Sequence, residues 1–281
     1  MEIGPYRVDL LDAGRFRLDG GAMFGVVPRP LWEGRMPPDD RNRIQLATQL
    51  LLIRGRGRTI LVDTGIGTLF SDKYRDIYAI DQSRHNLKAA LAALEVAPET
   101  VSDVILTHLH FDHAGGAVER DDDGELRPAF PRARYHVQRR QFSWALQPSA
   151  KDRGSYIPDT FQPLQEHQCL DLMDSGGEFL PGIDLIPVEG HTIAQQMVLV
   201  HDHGQAILYA GDLVPTAAHV PVPWVMAFDI HPLATIREKQ HYLDMAAREG
   251  WRVVFQHDPE TPCATIAETE RGFAVGEFVA V

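Results

Sequence analysis

The chain has 281 residues, of which 44% are hydrophobic, and its 39 acidic against 27 basic side chains give a formal net charge of −12. This length allows one large layered α/β domain with a buried core. The acidic balance disfavours nucleic-acid binding, which normally needs a basic surface. No apolar run approaches the roughly 18 residues of a membrane span, and the first residues do not resemble a signal peptide. The two cysteines, Cys169 and Cys263, form no Cys-x-x-Cys pair and are expected to be buried and reduced. We therefore expect a cytoplasmic protein.

The periodicity of apolar residues predicts strands and helices that alternate along the chain, with no repeat and no linker. Strands are expected at Ile44–Ile53, Thr59–Val62, Arg134–Val137, Ile183–Val188, Met197–His201 and Ala206–Tyr209. Helices are expected at Arg84–Leu94, Arg139–Leu146 and Leu233–Glu249, and Ser149–Gln168 is expected to be an irregular loop. Gly250 is a favourable residue to end the last helix. The pattern predicts a single domain over residues 1–281, an αββα sandwich with mixed sheets.

One short segment concentrates metal-binding chemistry: His108-Leu109-His110-Phe111-Asp112-His113. Imidazoles and carboxylates are ligands that suit zinc and neighbouring metals. Alternate side chains of an extended segment share a face, so His108, His110 and Asp112 are expected to point the same way. Asp112 and His113 are adjacent and should diverge, which favours two metal ions over one.

Further candidate ligands follow later apolar runs, namely His191, Asp212 and His257. Functional residues collect at strand ends in layered α/β folds, because the sheet holds the loops in place. Asp63, in Leu61-Val62-Asp63-Thr64-Gly65, has two interpretations. It either orients a ligand imidazole from outside the metal sphere or simply forms a turn.

These motifs resemble those of the metallo-β-lactamase superfamily, from the Asp63 motif to His257. The resemblance implies that His108, His110 and His191 bind a first metal ion. It implies that Asp112, His113 and His257 bind a second, with Asp212 bridging the two. Zinc is the expected metal, although iron, manganese and cobalt accept the same ligands.

The ligand set predicts hydrolysis by attack of a hydroxide that bridges two metal ions, with Asp112 or Asp212 carrying the proton to the leaving group. A closed structural site is the alternative, but such sites usually have four ligands and favour cysteine. A non-catalytic metal-binding domain with the same fold is a second alternative. The presence of Asp112 with all the other ligands favours the enzyme.

Two longer segments, Leu18–Trp32 and Pro221–Asp229, resemble the branch that holds quorum-quenching N-acyl-homoserine lactonases and methyl-parathion hydrolases. The resemblance implies a small-molecule lactone or ester substrate, with organophosphate triesters as the alternative. An apolar wall for an acyl chain is expected from Met23, Phe24, Trp224, Met226 and Phe228. The Met23–Trp32 segment could also pack across a homodimer.

One departure from that branch concerns the tyrosine that many lactonases place shortly after the bridging aspartate. Leu213-Val214-Pro215-Thr216-Ala217 follows Asp212 here, without a tyrosine. Either a metal ion polarises the substrate carbonyl unaided, or Tyr156, Thr216 or His219 supplies the hydrogen bond. The departure weakens the lactone interpretation relative to phosphotriesters.

Overall fold

The computed structural model describes residues 1–281 as alternating strands and helices. The strands are β1 (Glu2–Ile3), β2 (Tyr6–Asp19), β3 (Arg43–Gly55), β4 (Arg58–Val62), β5 (Asp103–Ile105), β6 (Val118–Arg120), β7 (Leu126–Pro128), β8 (Arg134–Gln138), β9 (Leu170–Met173), β10 (Gly177–Leu180), β11 (Ile183–Val188), β12 (Gln195–Asp202), β13 (Gln205–Tyr209), β14 (Arg252–Val254), β15 (Cys263–Thr269) and β16 (Gly272–Phe278). The helices are α1 (Gly20–Phe24), α2 (Arg29–Trp32), α3 (Asp72–Ile77), α4 (Leu87–Ala93), α5 (Phe111–Ala114), α6 (Arg139–Leu146), α7 (Gln162–Glu166) and α8 (Pro232–Glu249). None of the helices has the length and apolar composition that crossing a membrane requires.

The predicted strands and helices are all present, and the differences are local. Helix α4 begins at Leu87 rather than Arg84, because the Asn86 side chain accepts a hydrogen bond from Ala89 N at 2.9 Å and caps the helix there. Helix α8 ends as predicted, with Gly250 in the left-handed conformation at φ 68°. The segment Ser149–Gln168 is mostly irregular but also contains α7.

Two seven-stranded mixed sheets face each other and confirm the αββα sandwich. The first has the order β1-β2-β3-β4-β5-β8-β9, and the second runs from β10 to β16 in sequence order. Side chains such as Val62, Ile105 and Val198 fill the space between the sheets. Leu91 of α4 packs on the outer face of the first sheet, and Leu243 of α8 packs on that of the second. Each sheet therefore buries both faces, which explains the continuous apolar runs in its strands.

Parallel strand pairs bring the predicted ligands to one edge of the sandwich. Strands β4, β5 and β8 run parallel in the first sheet, and β13 and β14 run parallel in the second. Backbone hydrogen bonds join the sheets at this edge, from Ala47 N to His257 O at 3.1 Å and from Gln196 N to Thr107 O at 2.9 Å. The loops that follow these strands therefore converge on one region.

Candidate dinuclear metal site

The histidine-rich segment is extended only as far as His110 and then turns into the short helix α5. The prediction that Asp112 points the same way as His108 and His110 is therefore wrong, because a helical turn replaces strand alternation after His110. Gly116 allows the segment after this turn to pack closely on the Asp63 loop, since a Cβ atom there would overlap the Thr64 carbonyl oxygen. The turn carries Asp112 and His113 together to a second group of ligands.

The first group contains His108, His110, His191 and Asp212, all buried. His110 Nδ1 lies 3.1 Å from His108 Nε2 and 3.1 Å from His191 Nε2. His191 Nε2 also lies 3.2 Å from Asp212 Oδ2. Three imidazole nitrogens and one carboxylate oxygen thus converge on one point.

The second group contains Asp112, His113 and His257, which are also buried. His257 Nε2 lies 3.2 Å from His113 Nε2 and 3.0 Å from Asp212 Oδ1. Asp112 Oδ2 lies 3.6 Å from His257 Nε2. Asp212 therefore presents one carboxylate oxygen to each group, the arrangement that a bridging ligand needs.

Outer hydrogen bonds orient three of the imidazoles and set their tautomers. His191 Nδ1 donates to Asp229 Oδ1 at 3.0 Å, His113 Nδ1 donates to Asp63 Oδ2 at 2.9 Å, and His257 Nδ1 donates to Ala47 O at 2.8 Å. A neutral imidazole carries one proton, so Nε2 of each ring keeps a lone pair that faces the ligand groups. Such partners commonly orient metal-binding histidines.

Asp63 has more contacts than a turn residue requires. It is fully buried with a φ of 59°, and its carboxylate accepts hydrogen bonds from Thr107 N at 2.7 Å and from His113 Nδ1 at 2.9 Å. It also accepts hydrogen bonds from Tyr209 OH at 3.3 Å and Gln256 Nε2 at 3.1 Å. These contacts tie the ligand-bearing loop after β5 to the second sheet and support the orienting role over the turn.

The pKa shifts show that the carboxylates attract positive charge at the second ligand group, whereas the first group resists protonation. Burial, followed by the neighbouring imidazoles, lowers the pKa of His108 and His110 well below 6.5. Burial would also lower the pKa of His113 and His257, but Asp212 and Asp112 outweigh it and raise both. Burial would raise the pKa of Asp212, yet the imidazoles of His113, His257 and His191 hold it well below 3.8. Divalent cations would meet the same demand for positive charge.

The donor set fits two metal ions. The facing ring nitrogens of His108, His110 and His191 can each offer a lone pair to one ion. Asp212 Oδ1 is buried without a hydrogen-bond donor. Buried polar atoms normally have partners, and cations would satisfy the inward-facing lone pairs.

Replacing Asp229 with asparagine should weaken the first ligand group, because the charged acceptor that orients His191 is lost. We expect metal affinity or hydrolytic activity to fall by about 10- to 100-fold. The matched control is Asp171→Asn, since Asp171 pairs with His136 at 3.2 Å in a His–Asp pair outside the ligand groups. Metal titration of both variants checks the prediction, and equal affinities would contradict it.

A cavity of about 240 Å³ opens onto both ligand groups. It is lined by the candidate ligands His110, Asp112, His191, Asp212 and His257, by the apolar or aromatic side chains Leu18, Met23, Tyr78, Phe111, Met226 and Phe228, and by Lys151, Gly154 and Ser155. Met23, Met226 and Phe228 thus lie where the sequence analysis expected them. The ligand groups form part of a cavity wall and are open on that side.

Five other residues expected at the substrate lie outside the cavity lining, namely Phe24, Tyr156, Thr216, His219 and Trp224. Phe24 stacks between Trp32 and His219, with ring centroids 5.0 and 4.6 Å away, and packs edge-on against Trp224. These rings form a layer behind Met23. Apolar character predicted their burial but could not predict which of them reach the cavity.

The polar groups expected to replace the missing tyrosine are occupied by other partners. Tyr156 OH lies 2.8 Å from Thr192 Oγ1. Thr216 Oγ1 lies 2.7 Å from His219 Nδ1, and His219 Nε2 donates to Met23 O at 2.8 Å. Burial lowers the pKa of His219 to about 3, so this ring is neutral. Tyr156, Thr216 and His219 thus have partners within the protein and lie outside the cavity lining, so the structure favours a different donor for the substrate.

Tyr78 and Lys151 also line the cavity, and nothing in the sequence predicted them there. Tyr78 follows α3, and its ring stacks on Phe111 with centroids 4.9 Å apart. Its hydroxyl has no hydrogen-bond partner in the protein, and burial, followed by the charge of Asp112, raises its pKa above 10.0. No motif surrounds either residue, so only the folded arrangement reveals them.

Comparisons with known proteins agree with this geometry. A family model described as the metallo-beta-lactamase superfamily matches residues 45–257. The chain is 31% identical over 179 residues to the N-acyl homoserine lactonase AttM of Azorhizobium caulinodans, a match that covers 61% of this chain and 64% of that protein. It is 28% identical over 219 residues to a probable metallo-hydrolase of Mycobacterium bovis, covering 68% of this chain and 66% of that protein. The chain thus spans just under two thirds of the length of these two relatives. The solved structure of a probable metal-dependent hydrolase from Staphylococcus aureus matches with a TM-score of 0.88 and 29% identity over 100% of both chains.

Proposed function

The chain belongs to the metallo-beta-lactamase superfamily, and from that premise we propose that it is a metal-dependent hydrolase that opens lactones, N-acyl homoserine lactones among them. The observation that carries the proposal is the position of the ligand groups in the wall of an apolar cavity. A structural metal site would be closed on all sides, whereas this one is open to a small molecule. The two sheets share one interior, and we treat residues 1–281 as one domain.

The proposed ligands divide as the geometry groups them. One ion would be held by His108, His110 and His191. The other would be held by Asp112, His113 and His257. Asp212 would bind both ions. Zinc suits these ligands, although iron, manganese and cobalt also accept them. When bound, two such ions would supply the positive charge that activates a water molecule and polarises the substrate carbonyl.

Two residues of the cavity have proposed roles in the reaction, one in proton transfer and one in binding the substrate carbonyl. In lactone opening, water adds to the carbonyl carbon, the ring C–O bond breaks, and a proton passes from the water to the ring oxygen. Asp112 lines the cavity and is 6% exposed, so its carboxylate is placed to carry that proton. The hydroxyl of Tyr78, whose side chain lines the cavity, would donate a hydrogen bond to the substrate carbonyl oxygen.

The apolar part of the cavity favours the acyl chain of a lactone substrate. Met23, Met226 and Phe228 line it together with Phe111, and such side chains bind alkyl groups through burial of apolar surface. The similarity to AttM, which is named an N-acyl homoserine lactonase, supports the same substrate class. Opening such lactones would make the protein a quorum-quenching enzyme.

Replacing Tyr78 with phenylalanine should reduce lactone hydrolysis, because the carbonyl oxygen gains negative charge in the transition state and loses its hydrogen-bond donor. We expect kcat/KM to fall by about tenfold, or roughly 1.4 kcal/mol of transition-state stabilisation. Tyr74→Phe is the matched control, since the Tyr74 ring stacks on Tyr78 with centroids 6.2 Å apart but does not line the cavity. If both variants hydrolyse lactones as the unmodified protein does, Tyr78 has no such role.

The proposed function is tested by kcat/KM on a substrate panel with zinc-loaded protein. The panel comprises N-butanoyl and N-decanoyl homoserine lactone, a γ-lactone, an aryl phosphotriester and a phosphodiester. We expect the lactones to lead by at least about tenfold, a preference of roughly 1.4 kcal/mol. A leading phosphotriester would overturn the lactone assignment in favour of a phosphotriesterase. No turnover of any substrate would favour a metal-binding domain without hydrolytic activity.

A further inference from the structure

Two lysines hold the segment that forms one wall of the cavity, residues 217–230, called here the wall segment. Lys239 of α8 is 1% exposed and donates to the carbonyl oxygens of His219, Pro221 and Trp224 at 2.6, 3.0 and 2.7 Å. Lys151, which lines the cavity and lies in the loop after α6, reaches the same segment. An ammonium group has three protons, so Lys239 uses all of its donors within the wall segment.

Lys151 makes three comparable hydrogen bonds, but it is an exposed residue at the cavity. Its Nζ donates to the carbonyl oxygens of Ala227, Phe228 and Asp229 at 2.8, 2.9 and 2.8 Å. These three residues are consecutive, so one ammonium group fixes the backbone of the whole stretch. Hydrogen bonds from a charged donor are stronger than neutral ones, and none of the three is needed to complete a helix or a sheet.

One of the residues that Lys151 holds lines the cavity, and another orients a candidate ligand. The Phe228 side chain lines the cavity, and the Asp229 carboxylate accepts the hydrogen bond from His191 Nδ1 at 3.0 Å. Displacing this stretch of backbone would move the apolar wall and the acceptor of His191 together. Lys151 thus connects the shape of the cavity to the orientation of a candidate ligand.

The segment that carries Lys151 is itself fixed. The Asp152 carboxylate is 5% exposed and accepts hydrogen bonds from Trp144 Nε1 and Ser149 Oγ, both at 2.7 Å. A backbone bridge also pairs Tyr156 with His110. Lys151 therefore extends from a fixed segment, and its hydrogen bonds can connect this segment to the wall segment at the cavity.

We propose that Lys151 is a positioning residue that clasps the wall segment, setting the acyl-chain preference through Phe228 and holding His191 through Asp229. The part about acyl chains rests on the proposed function, whereas the part about His191 does not. Because Lys151 uses all three protons on backbone carbonyls, it has no donor left for the substrate. Its effect should therefore appear in substrate binding and in metal affinity.

The test compares Lys151→Met with Lys151→Arg and with the control Lys88→Met, since Lys88 is exposed and pairs with Glu119 at 2.8 Å. The methionine keeps a side chain of similar length without the donors. We expect Lys151→Met to raise KM for N-octanoyl homoserine lactone by about tenfold while KM for the N-butanoyl compound stays within about twofold. Cobalt affinity of the metal-free protein should weaken by about tenfold, with an altered visible spectrum of the cobalt-loaded protein. Lys151→Arg should recover part of both effects, and Lys88→Met should change neither.

Two results would overturn the proposal. A lower melting temperature with unchanged cobalt affinity and equal KM changes for both lactones would make Lys151 a stabilising residue only. A fall in kcat of about 100-fold on every substrate, with KM and cobalt affinity unchanged, would mean that Lys151 contacts the reacting atoms. If the unmodified protein hydrolyses no lactone, the proposed function fails, but the cobalt affinity and spectrum still decide the role of Lys151 at His191.

Discussion

Replacing Asp212 with asparagine should remove nearly all hydrolytic activity, lowering kcat/KM by about 10³-fold, or roughly 4 kcal/mol of transition-state stabilisation. Asp212 Oδ2 lies 3.2 Å from His191 Nε2 in one ligand group, and Oδ1 lies 3.0 Å from His257 Nε2 in the other. Asparagine has nearly the same size, but it removes the negative charge and turns one of the two acceptor oxygens into a donor. Both proposed ion positions should therefore be weakened by one substitution.

The experiment measures kcat/KM together with the metal content of the purified protein. Asp184→Asn is the matched control, because Asp184 lies on β11 and pairs with His201 at 2.9 Å outside the ligand groups. We expect the Asp212 variant to retain fewer than two ions per chain and the control to match the unmodified protein. Activity within about twofold of the unmodified protein would contradict the bridging role of Asp212.

Removing the metal ions with a chelator should reduce activity to below about 1%, and adding zinc should restore it. Metal removal should also lower the melting temperature, because ions that bind only the folded state stabilise it by about 4 kcal/mol at a free concentration 1,000 times the Kd. The structural reason is the buried charge of Asp63, Asp112 and Asp212, which lie 0, 6 and 6% exposed around the two ligand groups. Calorimetry before and after metal addition measures the stability change.

The same titration compares zinc with manganese, iron and cobalt. Asp212→Asn serves as the internal control, since a variant with weaker ion binding should show a smaller shift in melting temperature on metal addition. Full activity after exhaustive chelation, with no metal found in the protein, would contradict the metal mechanism for this chain.

Much of the candidate site could be predicted from the sequence because its signals are local. The ligands of the His108–His113 segment occur within six residues, and each of His191, Asp212 and His257 comes shortly after an apolar run. The chemistry of these side chains does not depend on the fold. The preceding strands can be predicted from their own apolar runs, without knowing which strands they pair with. The layered architecture followed from the same alternation of strands and helices.

Other features could not be predicted from the sequence because they depend on contacts between distant segments. Strand β2 was missed, since its burial depends on pairing with β3 and its pattern is broken by a register shift between Asp12 and Arg15. Strands β15 and β16 were missed after the last motif. Phe24 and Trp224 were expected at the substrate but pack behind Met23. Apolar character specifies burial but does not specify which of several apolar neighbours a cavity exposes.

The sequence alone determined which residues can bind metal ions, because imidazole and carboxylate chemistry belongs to the side chains themselves. The family resemblance also implied how these ligands divide into two groups, but only the folded structure supplies the cause, a helical turn after His110 that redirects Asp112 and His113. The folded structure also favours the orienting interpretation of Asp63 over the turn, because the hydrogen-bond partners of Asp63 come from both sheets. Tyr78 and Lys151 reach the cavity for the same reason. Distances between segments far apart in the chain arise only when the sheets pack, and no local pattern encodes them.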